Sequence, residues 1–512
     1  MTTVLRVRVV AAAALGALLA GRGFALAQEA SPPPALAIAL EEALVHAIER
    51  AEASVVSIMR INLGPDSGTA RLGREPFIIG GDRVARGTLG LDPSDPDFVP
   101  NEMGAGVVVD PRGLVLTNFH VVRETTSDSN EQNLLYVTLP GRDGYYASIW
   151  AADPTSDLAV LRLAPRDGRP LPSLTPIPMG DGSAVKKGQI VLALGNPYNI
   201  AHDGSPSASW GIISNVARKH WPDAVPSETG TEKRDLHKYG TLIQTDARLN
   251  LGTSGGALVN LHGEMIGLTT SLAAIAGYEQ SAGYAIPLSD PIQRIIHTLI
   301  EGREVEYGFL GITLDDGRFT GQSLLEDPQS GVIVRDVYAG TPAERAGLQP
   351  RDLIVSMGGN PVRGRDDLML AAATQVLGKA TPVVVLRSDR RLALNVELTK
   401  FPVEPGVIAS VRREAWRGIH VDHPTSRADV LRDPSRSQTL RQGCVLVTAV
   451  DSGSPAADSG VEELDLITHV AGKRVRTPDE FDAAVQSLSG AVDLGLAKLA
   501  GTDSAAVRIP AE

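Results

Sequence analysis

A serine between glycines is the first feature of the sequence that points to chemistry. Ser254 lies in the pentapeptide Gly252-Thr253-Ser254-Gly255-Gly256. A nucleophilic serine needs an exposed hydroxyl and backbone N–H donors directed at the oxyanion that develops on the substrate. Glycines on both sides let the chain turn tightly and let those N–H groups come close to a substrate. The motif alone leaves two folds open, because it also fits the G-x-S-x-G pattern of α/β-hydrolases.

The candidate base and its carboxylate both precede the serine. His120 directly follows an apolar, strand-like run, and Asp157 opens another. A buried aspartate can hold one nitrogen of a histidine ring and stabilise the imidazolium that forms during proton transfer. Asp153 is a nearby competitor for the carboxylate role, although Pro154 places it in a turn.

The segment after the serine helps to decide between the two folds. Residues 257–267 predict a strand, a turn and a strand, whereas the nucleophile elbow of α/β-hydrolases leads into a helix. The order along the chain is His, Asp, Ser, which is the order of chymotrypsin. We therefore predict a chymotrypsin-type serine protease with Ser254 as nucleophile, His120 as base and Asp157 as the carboxylate.

Short apolar runs must form the scaffold that positions these residues. From Val55 onward such runs alternate with Gly, Asn and Asp, which is typical of a β-barrel or sandwich. Aromatic residues make up only 4% of the chain, while 52 glycines and 34 prolines favour turn-rich β structure. Before this region, apolar residues at helical spacing between 36 and 48 predict an amphipathic helix within 28–54.

The region after Glu301 contains a weak internal repeat. The stretch 331–354 is echoed by 443–467, and each copy continues with a glycine-containing turn and an apolar helix. Two copies of one module of ~100 residues explain this pattern. We place the modules at 304–402 and 408–511.

The N-terminus and the composition limit the compartment and the partners. Residues 1–27 look like an export signal, with a positive end, a 12-residue apolar stretch and the small-x-small triplet Ala25-Leu26-Ala27. An uncleaved segment that keeps the protein at the membrane is the alternative. A net charge of −12 argues against a nucleic-acid partner. Cys444 is the single cysteine, so no intramolecular disulfide can form.

Six blocks of the sequence resemble the HtrA/Deg family of trypsin-fold proteases. They are TNFHVV at 117–122, DLAVL at 157–161, GNP at 195–197, SWGIIS at 209–214, GTSGG at 252–256 and GYAIP at 283–287. The resemblance covers about residues 50–300, and the repeated modules are similar to PDZ domains. It implies a mainly β chain, with a trypsin-like double β-barrel over 55–300 and two α+β PDZ-like domains behind it.

The resemblance also implies an activity. We expect an ATP-independent serine endopeptidase that acts on unfolded or damaged exported proteins and works as a homotrimer or a multiple of one. The family mechanism assigns the oxyanion hole to the N–H groups of Gly252 and Ser254, and requires no cofactor or metal. Thr253 stands where the family usually has Asn or Asp, and Leu251 and Ala257 each replace a common residue. A catalytically silent or latent chaperone-scaffold is therefore the alternative.

Substrate specificity is harder to predict from the sequence. Leu249 matches an aliphatic position that lines the specificity pocket in the family, and Leu272 and Ile275 lie in the loop expected to form another wall. Such a pocket would prefer small or medium aliphatic side chains. Arg248 leaves two alternatives open. In one it enters the pocket and favours acidic groups on the substrate, and in the other it faces solvent.

Each module has a segment that resembles the carboxylate-binding loop of PDZ domains. In the first module the loop includes Phe309, Leu310, Gly311 and Ile312, whose backbone N–H groups would receive a peptide C-terminus. In the second, the corresponding segment 416–419 has an arginine where an apolar residue is usual. For that module peptide binding and a purely structural role both remain open.

Overall fold

The computed structural model describes most of the chain after residue 33. The described residues are 34–62, 78–79, 82–83, 93, 98, 100, 102–123, 133–141, 144–165, 170–197, 201, 203–218, 236–270, 283–315, 331–388, 390–402, 406–497 and 505–511. The predicted export signal at 1–27 lies outside them. Two units, Met1–His46 and Ala47–Glu512, make up the chain.

A 19-residue helix, α1 (Pro34–Glu52), occupies the segment where apolar spacing predicts one. Its last residues belong to the second unit, where Ala47 and Ala51 are fully buried. Within the described ranges no helix combines the length and the hydrophobicity needed to cross a lipid bilayer.

The first barrel is an antiparallel sheet closed on itself. Its strands follow the order β7-β6-β1-β4-β5-β8, and β7 also pairs with β8 to close the ring. Most residues of β5 and β8 are buried, because side chains on one face fill the barrel and those on the other are covered by neighbouring elements. The strands are β1 (Val55–Asn62), the short hairpin β2 (Ile78–Ile79) and β3 (Asp82–Arg83), β4 (Glu102–Asp110), β5 (Leu114–Asn118), β6 (Asn133–Thr138), β7 (Gly144–Asp153) and β8 (Leu158–Leu163), with helix α2 (Phe119–Val122) after β5.

The second barrel also has six antiparallel strands, in the closed order β10-β11-β14-β13-β12-β9. The short 3₁₀ helix Leu236–Tyr239 precedes β11, and helix α3 (Asp290–Ile300) follows the barrel with Pro291 in its first turn. The serine motif lies between β11 and β12, in the turn region that the sequence predicts. The strands are β9 (Ile190–Gly195), β10 (Ser207–Arg218), β11 (Leu242–Thr245), β12 (Ala257–Val259), β13 (Met265–Thr270) and β14 (Gly283–Pro287).

Two modules of the same topology follow the barrels. In the first, the sheet order is β16-β17-β18-β20-β21 with β19 on β18, and in the second it is β24-β25-β26-β28-β29 with β27 on β26. The repeat in the sequence is therefore a repeat of one sheet topology, and each copy has its own apolar core. The expected mainly β architecture, a double barrel followed by two modules that each combine a sheet with helices, is confirmed.

The elements of the first module follow one another from β15 to β22. They are β15 (Gly308–Phe309), β16 (Ile312–Leu314), β17 (Val332–Val337), α4 (Pro342–Arg345), β18 (Leu353–Met357), β19 (Asn360–Pro361), α5 (Arg365–Ala373), β20 (Ala380–Arg387), β21 (Arg390–Glu397) and β22 (Thr399–Lys400).

The second module has an additional helical segment between its first two strands. In this segment two single-turn 3₁₀ helices, Pro424–Ser426 and Pro434–Arg436, alternate with two short α-helices. The elements are β24 (Ile419–Asp422), α6 (Ala428–Arg432), α7 (Ser437–Gln442), β25 (Val445–Val450), α8 (Pro455–Asp458), β26 (Leu466–Val470), β27 (Lys473–Arg474), α9 (Pro478–Val485), β28 (Val492–Ala497) and β29 (Ala505–Ile509).

The linker between the modules contributes a strand to the first barrel. Strand β23 (Ile408–Ala409) pairs with β7, with Ile408 opposite Ala152 and Ala409 opposite Ala151. The next residue continues the contact, since the Ser410 N–H donates to the Trp150 carbonyl at 3.2 Å. The sequence places the start of the second module at 408, whereas 408–410 pack with the first barrel.

Candidate active site

His120 lies where a buried strand passes into a short helix. Strand β5 ends at Asn118, and His120 is the second residue of α2. Its ring Nδ1 is 2.8 Å from Oδ2 of Asp157, and its backbone N–H donates to the other carboxylate oxygen at 2.9 Å. Both oxygens of Asp157 are thus directed at one histidine. The two side chains are 17% and 13% exposed, so solvent screens their interaction only weakly.

Asp157 has an unusual backbone conformation. Its φ is +53°, in the left-handed region that residues other than glycine rarely adopt. The carbonyl of Asp157 accepts hydrogen bonds from the Phe119 N–H at 2.9 Å and the Asn118 side-chain amide at 3.3 Å. The strain is therefore balanced by bonds that a relaxed conformation would lose, as is common at functional sites.

The pKa of Asp157 lies below its usual value. Burial alone would raise the pKa, but the charge and the hydrogen bonds of His120 outweigh burial, and nearby His237 contributes in the same direction. The carboxylate therefore stays ionised at neutral pH. An ionised acceptor can keep the hydrogen on Nδ1 of His120 and leave Nε2 as the basic nitrogen.

Asp153, the competing carboxylate, has other partners. It is 1% exposed and accepts hydrogen bonds from the Ser156 N–H at 3.0 Å, the Thr155 N–H at 3.3 Å and the Tyr307 hydroxyl. Burial raises the pKa of Asp153, although these hydrogen bonds oppose the effect. Asp153 thus shapes the turn that carries Asp157, while Asp157 is the carboxylate in contact with His120.

The loop that carries Ser254 is held from both sides. Ser254 is 6% exposed, and its carbonyl accepts a hydrogen bond from the Ala105 N–H at 2.7 Å. A Cβ atom added to Gly104 would lie 2.7 Å from Val121 and 3.3 Å from the Ser254 carbonyl. Strand β4 therefore brings the serine loop next to the helix of His120.

Thr253 is part of a closed hydrogen-bond network. Its hydroxyl donates to the Asn250 carbonyl at 2.6 Å, and its own carbonyl accepts from the Gly256 N–H at 3.0 Å and the Thr269 hydroxyl at 2.6 Å. The Thr253 hydroxyl thus makes a local hydrogen bond at the position where the resemblance leads one to expect an amide or an acid. These bonds link the loop around Ser254 to itself and to β13.

Three backbone amides of the serine loop have acceptors within the protein. The N–H groups of Thr253, Gly255 and Gly256 all donate within the protein, to the carbonyls of Asn250, Thr269 and Thr253. Gly252 has a φ of +93°, and its N–H makes no hydrogen bond to the described part of the chain. Gly252 is one of the two residues that the sequence predicts as oxyanion donors.

The specificity pocket is described only in part. Leu249 is 8% exposed and belongs to the apolar core of the second barrel. A Cβ atom added to Gly283 would come within 2.6 Å of its side chain, so the two residues are in close contact. Arg248 is exposed, in agreement with a solvent-facing side chain. Leu272 and Ile275 lie outside the described residues.

A cavity of about 420 Å³ lies beside the predicted peptide-binding loop of the first module. Its walls include Phe309, Leu310, Gly311 and Ile312, together with α5. Gly311 has a φ of +86°, and its carbonyl accepts from the Tyr338 N–H at 3.0 Å. The protease barrel closes one side of the cavity through Asp153, Thr155, Leu236 and Tyr239, which the sequence did not predict.

The corresponding loop of the second module is closed. Trp416 and Ile419 exchange two backbone hydrogen bonds, of 3.0 and 2.9 Å, so the N–H of Ile419 is already used. Arg417 occupies the place of Leu310 and is 5% exposed. Its guanidinium donates to four carbonyls, at Leu488, Gly490, Ile509 and Pro510, and lies 4.6 Å from the Trp416 ring.

The linker also contacts the helix that would border a peptide groove in the second module. Arg413 forms ion pairs with Asp479 and Asp482 of α9, the first of them at 2.8 Å. In the first module Met369 of α5, at the position of Asp482, lines the open cavity. The two modules therefore share a topology but not a groove.

Comparison with known proteins is consistent with this architecture. The profile of the trypsin-like peptidase domain family matches residues 104–268, and that of the PDZ domain matches 333–387 and 446–496. A protein of Chlamydia trachomatis serovar D, named "Probable periplasmic serine endoprotease DegP-like", is 31% identical over 389 residues, covering 76% of this chain and 70% of its own. A Pseudomonas putida W619 protein of the same name is 29% identical over 395 residues, covering 75% and 74%.

Among solved structures, that of "HtrA-type protease AlgW with decapeptide" is similar at 25% sequence identity. The match covers 70% of this chain and 99% of that one, with a TM-score of 0.48.

Proposed function

Because this chain belongs to the HtrA/Deg family of trypsin-like serine endopeptidases with PDZ domains, we propose that it degrades unfolded or damaged exported proteins without ATP. His120, Asp157 and Ser254 perform the cleavage. The observation that carries the proposal is the two-point contact between His120 and the Asp157 carboxylate, beside an ordered serine loop.

The chemistry follows from this arrangement. Nε2 of His120 removes the hydroxyl proton of Ser254 as Oγ attacks the carbonyl carbon of the substrate. The negative oxygen of the tetrahedral intermediate is held by the N–H groups of Gly252 and Ser254, each worth about 3 kcal/mol of the barrier. The imidazolium then gives its proton to the leaving amine, and an acyl-enzyme remains. Water, deprotonated by the same histidine, attacks the ester and releases the new C-terminus.

The first experiment compares the purified protein with Ser254→Ala on casein and on a fluorophosphonate probe. We expect casein cleavage and labelling in the wild type, and neither in the variant, because no other hydroxyl occupies that site. Casein cleavage that persists in Ser254→Ala would rule out this serine. Absence of labelling in the wild type would favour the latent scaffold instead.

The first PDZ-like module is the peptide-binding one in this proposal. Its loop lies beside a cavity with apolar walls, and the strand β16 at the sheet edge is available for pairing with an added peptide strand. The closed loop and the linker contacts of the second module support a structural role there. Peptide C-termini would therefore bind at one site in each chain.

The compartment follows from the names of the relatives, and the assembly from the resemblance to the family. Both relatives are named periplasmic, and we propose that this chain is exported to the same kind of compartment. Residues 1–27 would then be absent from the mature protein, which N-terminal sequencing of exported material would show. A homotrimer or a multiple of one is the expected assembly, and light scattering gives its mass.

A further inference from the structure

His237 is a buried histidine that the triad does not use. It lies in the 3₁₀ helix Leu236–Tyr239 and is 0% exposed. Its Nε2 is 3.0 Å from the Ser156 carbonyl, and its Nδ1 is 3.0 Å from the Thr241 hydroxyl. A carbonyl oxygen can only accept, so Nε2 carries a hydrogen and donates it to Ser156.

The bond to Ser156 acts on the peptide unit that precedes Asp157. The φ angle of Asp157 is the rotation about its N–Cα bond, so the orientation of the preceding peptide fixes φ once the rest of the residue is held. The following peptide is held separately, because the Asp157 carbonyl accepts from Phe119 and Asn118. With His237 on one side and β5 on the other, both peptide planes around the strained φ of +53° are clamped.

A second bond attaches the same 3₁₀ helix to the same turn. The Leu236 N–H donates to the Thr155 carbonyl at 2.9 Å. Successive carbonyls of the turn, at Thr155 and Ser156, thus accept from successive residues of the helix. Asp153 holds the other side of the turn through the Thr155 and Ser156 N–H groups.

We propose that His237 is a positioning residue of the protease, which donates to the Ser156 carbonyl and thereby holds Asp157 in the conformation that directs its carboxylate at His120. The inference rests on the proposed function of the triad. Its consequence is kinetic: without the bond, the peptide before Asp157 relaxes and the carboxylate moves away from Nδ1. Displacement of a catalytic group by about 1 Å costs up to about 10²-fold in rate.

Three substitutions separate the hydrogen bond from the volume of the side chain. The amide nitrogen of glutamine reaches the place of Nε2, whereas that of asparagine reaches only the place of Nδ1. His237→Gln should therefore keep most of kcat, while His237→Asn and His237→Leu should lose about 30- to 100-fold with little change in KM. His262→Leu, at an exposed histidine of the same barrel, is the matched control and should leave kcat unchanged.

A double-mutant cycle distinguishes positioning from general damage. In an Asp157→Asn background there is no carboxylate left to position. Adding His237→Asn to this background should therefore lower kcat by less than about 3-fold. The proposal would be overturned if His237→Gln and His237→Asn lost equal amounts of kcat. It would also be overturned if His237→Asn lowered kcat as much in the Asp157→Asn background as in the wild type. Failure of the proposed function is recognised separately, since Ser254→Ala would then retain the activity.

Discussion

Asp157 and Asp153 are two buried carboxylates, four residues apart in one turn, with opposite environments. Asp157 is bound by a histidine that can become positively charged, and its pKa is lowered; Asp153 is bound by neutral donors, and its pKa is raised. An ion partner favours the charged form of an acid, whereas burial among neutral groups disfavours it. One turn therefore supplies both an ionised orienting group and a structural acceptor.

The two carboxylates should differ in the kinetic effect of their substitution. Asp157→Asn is expected to lower kcat by about 10⁴-fold with little change in KM, because the amide favours the wrong tautomer of His120. Asp153→Asn is the matched control, and we expect mainly reduced stability with a far smaller loss of kcat. Steady-state kinetics on a peptide substrate give the comparison. A larger loss of kcat in Asp153→Asn would reverse the assignment.

Gly255 allows a test of how tightly the serine loop is packed. A Cβ atom at Gly255 would lie 2.2 Å from the Ala105 carbonyl and 2.3 Å from the Thr117 hydroxyl, at a φ of +85°. Gly188 has a φ of +86° but open space around it. Gly188→Ala should therefore lower the free energy of unfolding only by the conformational cost of the left-handed backbone, about 1–2 kcal/mol. Gly255→Ala should lower it distinctly more and should also abolish activity.

Urea unfolding and kcat, measured on both glycine variants, give the result. Equal destabilisation and equal activity would mean that the loop can move away from β4, and that it is not held in the way described.

At the level of elements, β22, β24 and the segment between α3 and β15 meet around one buried charge. Lys400, 3% exposed, pairs with Asp422 at 2.7 Å and Glu304 at 3.0 Å, and Glu306 is 3.7 Å away. His423 lies at the end of β24 beside this cluster. Burial, together with the charge of Lys400, lowers the pKa of His423 to about 4 in spite of the nearby Asp422.

This shift predicts a loss of stability in mild acid. The unfolded chain protonates His423 near pH 6.5, whereas the folded chain does so only near pH 4. Between these values the unfolded state binds more protons, so stability falls as pH falls, by at most about 3 kcal/mol. His423→Gln should lose less stability than the wild type between pH 7 and 4.5, and His262→Gln should not differ from the wild type. Equal losses in all three would contradict the prediction.

The sequence predicted elements and residues whose signals are local. His120, Asp157 and Ser254 each sit in a short segment that identifies its strand or turn, and the order of the segments selects the fold. The contacts that surround them are not local. His237 reaches Ser156 across 81 positions, and Tyr307 reaches Asp153 across 154. A histidine before an ordinary strand, or a tyrosine before a PDZ-like loop, carries no sign of such a partner.

Departures from the family pattern were harder to interpret from the sequence than the matches were. Thr253 raised doubt about the rigidity of the loop, yet its hydroxyl donates a hydrogen bond to the Asn250 carbonyl within that loop. Arg417 left the second module open between two roles, and the four carbonyls that surround its guanidinium lie in two segments, 488–490 and 509–510. In both cases the sequence gives the side chain, whereas the carbonyl groups that it contacts are brought to it only by the fold.

At the scale of the whole molecule, the cavity of the first module and the turn of Asp157 are neighbours. Asp153 and Thr155 line the cavity on one side, and the same two residues belong to the turn on the other. The Tyr307 hydroxyl adds a direct bond from the start of the first module. The protease barrel and the first module therefore share one wall.

A matched pair of glycine variants tests which module binds peptides. Gly311 and Gly418 have φ values of +86° and +84°, and a Cβ atom at either would clash at 2.2 or 2.3 Å. We expect Gly311→Ala to abolish binding of a fluorescent peptide with a free C-terminus, and Gly418→Ala to leave it unchanged. Calorimetric titration of the full chain should give one site per chain. Two sites, or loss of binding in Gly418→Ala, would show that the second module binds peptides.

Strand β23 gives the molecule a definite order of assembly. A chain leaves the ribosome N-terminus first, so β7 is made long before Ile408 and Ala409. The edge of β7 at Ala151 and Ala152 therefore stays without β23 until those residues have been made. Contacts so distant along the chain close late, because the entropy of the intervening loop must be lost first. Synthesis interrupted after the first module would leave that edge open to strands of other chains. The linker strand thus pairs only after the first module has been made, and the edge of the first barrel at β7 is covered only once synthesis has passed Ala409.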